Sequence, residues 1–221
     1  MTAPADAAAY EQWYHAPRGA WISRTEFHLM MRLLRPVAGA TLLEVGSGTG
    51  HFSRLFASAG LQVTGLDPDR AMLDYARRAG GGIDYAEGSV LALPFPDRAF
   101  DYVTAVTSLC FVSDPQRALA EMWRVCRRTL VLGLLNRHSL LFGQHQGRGS
   151  YQGARWDTAA DARSWTVDLH PAPRVVVRSA VFFPGGSAAA RVAELLLPGV
   201  ITVGGFLAVA LHPFTDAVHG E

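Results

Sequence analysis

The stretch that most constrains this chain is a glycine-rich turn, LLEVGSGTG, at Leu42–Gly50. An apolar run, Thr41–Val45, predicts a buried strand before it, and apolar residues from Phe52 onward recur at helical spacing after it. A strand, a glycine turn and a helix N-terminus together let backbone N–H groups approach a ligand closely. The next apolar run, Leu61–Leu66, ends in Asp67, near the spacing at which a carboxylate holds a ribose diol. The pattern predicts an α/β sheet that binds a nucleoside cofactor.

The residue in front of the turn narrows the choice of cofactor. A turn that holds the pyrophosphate of a dinucleotide usually reads GxGxxG, whereas this one reads GxGxG and follows Glu44. A carboxylate there would repel phosphates, but it suits a ligand with an ammonium and a sulfonium group. The motif EVGSGTG, with Asp67 after the next strand, resembles motif I and the acidic loop of class I S-adenosylmethionine (SAM) methyltransferases. A nicotinamide-dependent oxidoreductase remains a less favoured alternative.

The resemblance continues downstream. Residues 88–97, GSVLALPFPD, are similar to the family's GDAxxLPFPD stretch, and residues 100–115 are similar to its FDxVxxxxxLxFVxDP stretch. It implies a Rossmann-like, seven-stranded mixed sheet with helices on both faces. The last strand would lie antiparallel between the fifth and sixth. The apolar runs predict strands at Thr41–Val45, Leu61–Leu66, Ile83–Ala86, Phe100–Val106, Thr129–Leu135, Val175–Phe183 and Val203–Leu211.

The resemblance also implies a set of residues that contact SAM and its product, S-adenosylhomocysteine. Glu44 would orient the turn and the methionyl ammonium, Asp67 would bind the ribose, and Thr107 would lie near the methionyl end. Ser89 departs from the family, which has an aspartate there, although a hydroxyl can still accept one hydrogen bond. The remaining expected contacts are Gly46, Ser47, Gly48 and Gly50 in the turn, Pro68 and Met72 after Asp67, and Gly88 and Val90 beside the adenine.

Aromatic residues precede the turn in the pattern YxxWYxxPxG, residues 10–19, ahead of a helix predicted at Ser23–Leu34. The pattern resembles the N-terminal cap of small-molecule methyltransferases, which closes over SAM. Residues 1–36 are therefore an expected cap, with Tyr10 and Tyr14 as cofactor contacts and Tyr14 also as a candidate catalytic residue. The alternative is that these aromatic residues only pack a leading helix onto the sheet.

The segment Asn136–Trp165 is polar, aromatic and rich in glycine, which is typical of a loop that covers a substrate. It is the expected substrate lid, with a short helix at about Thr158–Ser164. His138 is the first candidate for a general base and His145 is the second, because an imidazole titrates near neutrality. Solvated histidines are the alternative, and no metal site is expected. Arg148 and Arg155 would either hold an anionic group or face water.

Composition limits the partners. The 221 residues carry a net charge of +1 and contain no lysine, which gives no reason to expect a nucleic-acid partner and excludes a Schiff-base lysine. Cys110 and Cys126 read as reduced thiols of a cytoplasmic protein. The uncharged stretch Leu195–Leu211 is broken by proline and glycines, so a helix end, a turn and a strand are expected instead of a membrane span.

We therefore expect one domain, 1–221, as a monomer or homodimer, that methylates a small-molecule acceptor by direct in-line displacement. A non-catalytic SAM-binding protein is the alternative.

Overall fold

Seven strands form one mixed sheet at the centre of the computed structural model, which describes residues 6–197 and 199–213. The strand order is β3-β2-β1-β4-β5-β7-β6. Strand β7 pairs antiparallel with both β5 and β6, and the other pairs are parallel. The predicted Rossmann-like fold, with its last strand inserted between the fifth and sixth, is confirmed. The strands are β1 (Thr41–Val45), β2 (Gln62–Asp67), β3 (Asp84–Glu87), β4 (Phe100–Val106), β5 (Cys126–Leu135), β6 (Pro173–Ala180) and β7 (Phe206–Pro213).

Helices cover both faces of the sheet because successive strand residues point to opposite sides. Leu43 packs in a core with Leu119 and Met122, whereas its neighbour Leu42 packs in a second core with Met30 and Phe56. Both cores exclude water from the central strands, which are buried on both faces as parallel strands usually are. The helices are α1 (Ala7–His15), α2 (Pro17–Leu34), α3 (His51–Ser58), α4 (Arg70–Ala79), α5 (Pro115–Val125), α6 (Leu140–His145), α7 (Ala159–Ser164) and α8 (Ala188–Leu196).

The N-terminal region contains two helices, where the sequence predicted one beginning near Ser23. Helix α1 starts after Asp6, whose side chain accepts a hydrogen bond from the Ala8 N–H. The chain then turns at Ala16, which is extended because Pro17 disfavours helical geometry in the residue before it. Gly19 permits the turn, since a Cβ there would lie 1.9 Å from the carbonyl oxygen of Trp13.

Other boundaries also differ from the prediction. Strand β5 begins at Cys126 instead of the predicted Thr129, directly after helix α5 ends at Val125. Strand β6 ends at Ala180 instead of Phe183, because Val181 leaves the extended region with φ of +63°. The Glu194 carboxylate stabilises that break by accepting hydrogen bonds from the N–H groups of Val181 and Phe182.

The uncharged stretch from Leu195 to Leu211 divides as predicted into a helix end, a turn and a strand, although β7 starts at Phe206 instead of Val203. Pro198, which the prediction used as a breaker, lies outside the described residues. In the part of the chain that the structure describes, no helix has the length and apolar character needed to cross a bilayer. The single-domain prediction, 1–221, and the cap, 1–36, include termini that also lie outside it.

Candidate active site

The glycine turn joins β1 to α3 and is open at one point. Gly46, Gly48 and Gly50 all have positive φ, at 70°, 52° and 76°. A Cβ at Gly46 would collide with Ser108, and a Cβ at Gly50 would collide with Tyr85. These two glycines therefore serve internal packing. A Cβ at Gly48 would meet no protein atom within 4 Å. The free side of Gly48 is consequently where a ligand can approach the backbone.

Asp67 stands beside that open point. Its Oδ2 accepts a hydrogen bond of 2.8 Å from the Gly48 N–H, and its Oδ1 accepts one of 2.8 Å from the Asp69 N–H. Burial raises the pKa of Asp67, and these two N–H groups oppose the rise. Each carboxylate oxygen can accept a further bond, so the group can also take ribose hydroxyls. Pro68 is exposed, and Met72 is half-buried on α4.

Glu44 lies beneath the turn, 2% exposed, and accepts a hydrogen bond from the Ser53 hydroxyl. Burial raises its pKa to about 8. The contact ties β1 to α3 and so fixes the two ends of the turn. Ser47 is buried too, and within the described residues its hydroxyl has no hydrogen-bond partner. The orphaned hydroxyl, the open backbone at Gly48 and the adjacent Asp67 together fit a nucleoside cofactor such as SAM.

The loop after β3 borders the same place. The Gly88 N–H donates to the carbonyl oxygen of Asp67 at 3.2 Å, which holds this loop beside the expected ribose site. The Ser89 hydroxyl accepts a hydrogen bond from the Leu91 N–H, and Val90 is buried in the core. Gly88, Ser89 and Val90 are thus brought near Asp67.

A cavity of about 440 Å³ lies between α1, α2, the ends of β4 and β5, and residues 141–151. Tyr10, Tyr14 and Thr107, all expected site residues, line it. Thr107 has φ of +48°, and Val181, which also lines the cavity, has φ of +63°. Such left-handed backbone is uncommon for β-branched residues and concentrates at functional sites.

Helix α1 lies over the glycine turn. The Glu11 carboxylate accepts a hydrogen bond of 2.5 Å from the Thr49 hydroxyl and pairs with Arg54 at 2.5 Å. Tyr14 stacks on His51, with ring centroids 3.7 Å apart and planes 7° from parallel. The Tyr14 and Tyr10 hydroxyls are 3.0 Å apart. The expected cap segment therefore covers the turn and contributes one wall of the cavity.

The segment Asn136–Trp165 also contributes to the cavity, but not through every candidate. His145, Arg148 and Tyr151 line it. His138 is exposed and is not among the lining residues, and its N–H donates to the Asn136 side chain. Arg155 pairs with Asp157 and donates to the carbonyl oxygens of Leu109 and Val112. Its guanidinium therefore stabilises the segment 109–112.

Two acidic residues at this site were not among the sequence candidates. Glu11 anchors α1 to the turn, and no local pattern marks it. Glu26, on α2, lines the cavity. It lies four residues after Ile22 and four before Met30, both buried. An acid in an apolar stripe at helical spacing is a signal that the sequence did contain.

Cys110 also lines the cavity, where burial raises the pKa of its thiol to about 12. Its Sγ donates to the Thr107 carbonyl oxygen at 3.2 Å. Burial therefore disfavours the thiolate, which is the nucleophilic form of cysteine.

Comparison with known proteins agrees with this geometry. A family model described as a methyltransferase domain matches residues 43–131. A protein of Mycobacterium tuberculosis strain H37Rv that carries no assigned function is 35% identical over 216 residues, covering 93% of this chain and 71% of that protein. Demethylmenaquinone methyltransferase of Renibacterium salmoninarum is 41% identical over 99 residues, covering 45% of this chain and 42% of that enzyme.

The fold is also that of a solved structure. A SAM-dependent methyltransferase from Thermotoga maritima, described as a possible histamine N-methyltransferase, superposes with a TM-score of 0.69 at 23% identity, covering 93% of this chain and 95% of the other. The nicotinamide alternative is set aside by these matches. The chain belongs to the class I SAM-dependent methyltransferase family, and S-adenosylmethionine is its cofactor.

Proposed function

We propose that this chain transfers the methyl group of SAM to a small-molecule acceptor held in the 440 Å³ cavity. The observation that carries the proposal is that two of the cavity walls adjoin the glycine turn. Thr107 precedes Ser108, whose hydroxyl donates to the Val45 carbonyl oxygen and whose Cβ packs on Gly46. Tyr14 stacks on His51, the residue that follows Gly50. An acceptor in the cavity would thus lie next to a cofactor on the turn.

The roles of the cofactor residues follow from that arrangement. Asp67 would bind the ribose hydroxyls of SAM, and the free side of Gly48 would admit the nucleoside. Pro68 and Met72 would pack beside it, and Gly88, Ser89 and Val90 would border the adenine. When bound, SAM supplies a methyl group activated by its sulfonium. The protein's contribution is to hold acceptor and methyl group in line for direct displacement and to exclude water.

The size and surface of the cavity support a small-molecule acceptor. Its volume is within the range of ordinary ligand pockets, about 300–1,000 Å³. Aromatic side chains from α1 and Tyr151 line much of it. The relative from Renibacterium is named for a small-molecule substrate, which supports the same class here.

Where the acceptor must lose a proton before methylation, a residue that lines the cavity would accept it. Burial raises the pKa of Tyr14 well above its ordinary value, so its hydroxyl is a hydrogen-bond donor and not a base near pH 7. His145 lines the cavity and is a candidate base, whereas the exposed position of His138 gives that residue no support.

The test is conversion of SAM to S-adenosylhomocysteine by the purified chain with a panel of amines, phenols and carboxylic acids. We expect turnover that depends on one acceptor class and that disappears in Gly48→Val, with His138→Ala as the matched control that keeps activity. SAM binding without turnover on any class would instead favour the non-catalytic SAM-binding alternative.

A further inference from the structure

One carboxylate group lines the proposed acceptor cavity among the described residues, and it belongs to Glu26 on α2. Ile22 and Met30, about one helical turn to either side, are 6% and 0% exposed. Glu26 therefore interrupts a buried apolar stripe. Glu26 itself is half-buried, and a leucine would suit this position better for folding, because even partial burial of an unpaired acid is unfavourable. The position of this acid indicates a role in binding a ligand that enters the cavity.

Among the described residues, no positively charged side chain forms an ion pair with Glu26. Burial raises its pKa to about 8, and no neighbouring positive charge opposes that rise. Arg18 lines the cavity, but its Nε donates to the Pro184 carbonyl oxygen at 2.7 Å. Arg148 is exposed. The Glu26 carboxylate is thus left without a counter-ion inside the part of the chain that the structure describes.

The walls around Glu26 are aromatic. Tyr10, Trp13, Tyr14 and Tyr151 all line the same cavity. Burial, followed by the charge of Glu26, raises the pKa of Tyr151 to about 12, and the charge of Arg18 opposes the rise. Tyrosine and tryptophan ring faces attract cations, and the attraction is largest where water is excluded. A lone carboxylate among such rings is complementary to an ammonium group.

We propose that the acceptor is an amine and that Glu26 binds its ammonium group within these aromatic walls. The inference rests on the proposed function. In the reaction the ammonium proton passes to the Glu26 carboxylate, which frees the nitrogen lone pair. The N–CH3 bond forms as the CH3–S bond breaks, and S-adenosylhomocysteine retains the electron pair of the broken bond. The product is an N-methylammonium group, which carries the positive charge. The proton on Glu26 then leaves to solvent.

Other acceptor classes fit the same contacts less well. A carboxylic acid would bring a second negative charge toward Glu26, which like-charge repulsion disfavours. A neutral alcohol could only exchange hydrogen bonds with Glu26, which would then stay protonated near neutral pH or stay without a counter-charge above pH 8. An ammonium group would neutralise the Glu26 carboxylate, and the same carboxylate could accept the ammonium proton directly.

The rate should depend on pH through Glu26, whose deprotonated form is the competent one. We expect kcat/KM to rise as pH rises through about 8 in the wild type. In Glu26→Gln the rise should move to the higher pH at which the amine acceptor itself loses its proton. A limb that stays near pH 8 in the variant would belong to a group other than Glu26 and would contradict its role as the base. The titratable or charged groups lining the cavity are Tyr10 and Tyr14 from α1, Arg18 from α2, Cys110 after β4, and His145, Arg148 and Tyr151 from residues 141–151.

Binding of a matched probe pair tests the proposal without requiring turnover. The probes are 2-phenylethylamine and 2-phenylethanol, titrated by calorimetry above pH 8, where Glu26 is ionised, into the protein saturated with S-adenosylhomocysteine. We expect the amine to bind at least about tenfold more tightly than the alcohol, the factor for one charge-assisted hydrogen bond. The preference should vanish in Glu26→Gln and persist in Glu26→Asp. Asp84→Asn, which removes an exposed acid on β3, should behave as the wild type.

Equal binding of the two probes, no binding of the amine, or an amine preference that survives in Glu26→Gln would overturn the inference. Turnover assays separate this failure from failure of the proposed function. Methylation of phenols or acids but not amines would overturn the amine inference alone. Absence of transfer to every class would overturn both.

Discussion

Helix α1 is held over the glycine turn by Glu11, and Glu11→Gln should release it. The side chain is 4% exposed and bridges the Thr49 hydroxyl and the Arg54 guanidinium, each at 2.5 Å. Because α1 also carries Tyr10 and Tyr14 to the cavity, this one substitution tests whether the cap is a docked element of the site.

The magnitude follows from the two contacts. Hydrogen bonds to charged groups contribute about 1.5–3 kcal/mol each, and neutral ones about 0.5–1.5 kcal/mol. Glutamine keeps the shape and one acceptor oxygen but presents an amide donor in place of the second. Glu11→Gln therefore weakens one bond and loses the other. Arg54 is 23% exposed and can partly rehydrate, so we expect α1 docking to weaken by about 2–3 kcal/mol.

Amide hydrogen exchange is the assay, because α1 can detach without global unfolding. Exchange of the hydrogen-bonded α1 amides should accelerate about 30- to 150-fold, while β5 amides keep their protection. Asp74→Asn is the matched control. Its partner Arg77 lies at 3.0 Å but both side chains are nearly half exposed, so the loss should be under about 0.5 kcal/mol. Unchanged α1 exchange in Glu11→Gln would refute the reasoning.

Three further predictions concern the cap and the cofactor. Burial acts to raise the pKa of Glu11, but the nearby His51 imidazole, the hydrogen bond from Thr49 and the charge of Arg54 lower it overall. The stabilisation from Glu11 should thus be present above about pH 4.3 and be lost as pH falls through the lowered pKa, so that the wild type and Glu11→Gln converge in α1 exchange at low pH. A constant difference would contradict this. Asp67→Ala should weaken SAM binding by about 1.5–3 kcal/mol in calorimetry, and an unchanged Kd would exclude the ribose role. Gly48→Val should abolish SAM binding while circular dichroism still shows a folded chain, because its side chain points into space free of protein atoms. Retained binding would mean that no ligand approaches there.

The sheet could be predicted from the sequence because its determinants are local. Apolar runs marked each strand, and the glycine turn with Asp67 marked the cofactor end of β1 and β2. The errors within the sheet were at the ends of strands, where tertiary contacts decide. Val181 ends β6 because Glu194, thirteen residues later, accepts its N–H and that of Phe182. Periodicity within the strand cannot register such a contact.

The acceptor side was less predictable because it is assembled from distant segments. His138 and His145 were equivalent as sequence, but α6 carries His145 to the cavity while His138 stays exposed before the helix begins. Glu11 gained its role only because α1 packs on a turn some forty residues later. Glu26 was visible as an acid in an apolar stripe, yet only the packing of α2 shows that the stripe borders a cavity.

A crystal structure of the complex with S-adenosylhomocysteine tests the division into a cofactor turn and an acceptor cavity most directly. We expect the ribose hydroxyls at Asp67, the nucleoside on the free side of Gly48, and the sulfur directed into the cavity between Thr107 and Tyr14. A sulfur directed away from that cavity, or a nucleoside bound elsewhere than at Gly48 and Asp67, would contradict the proposed arrangement.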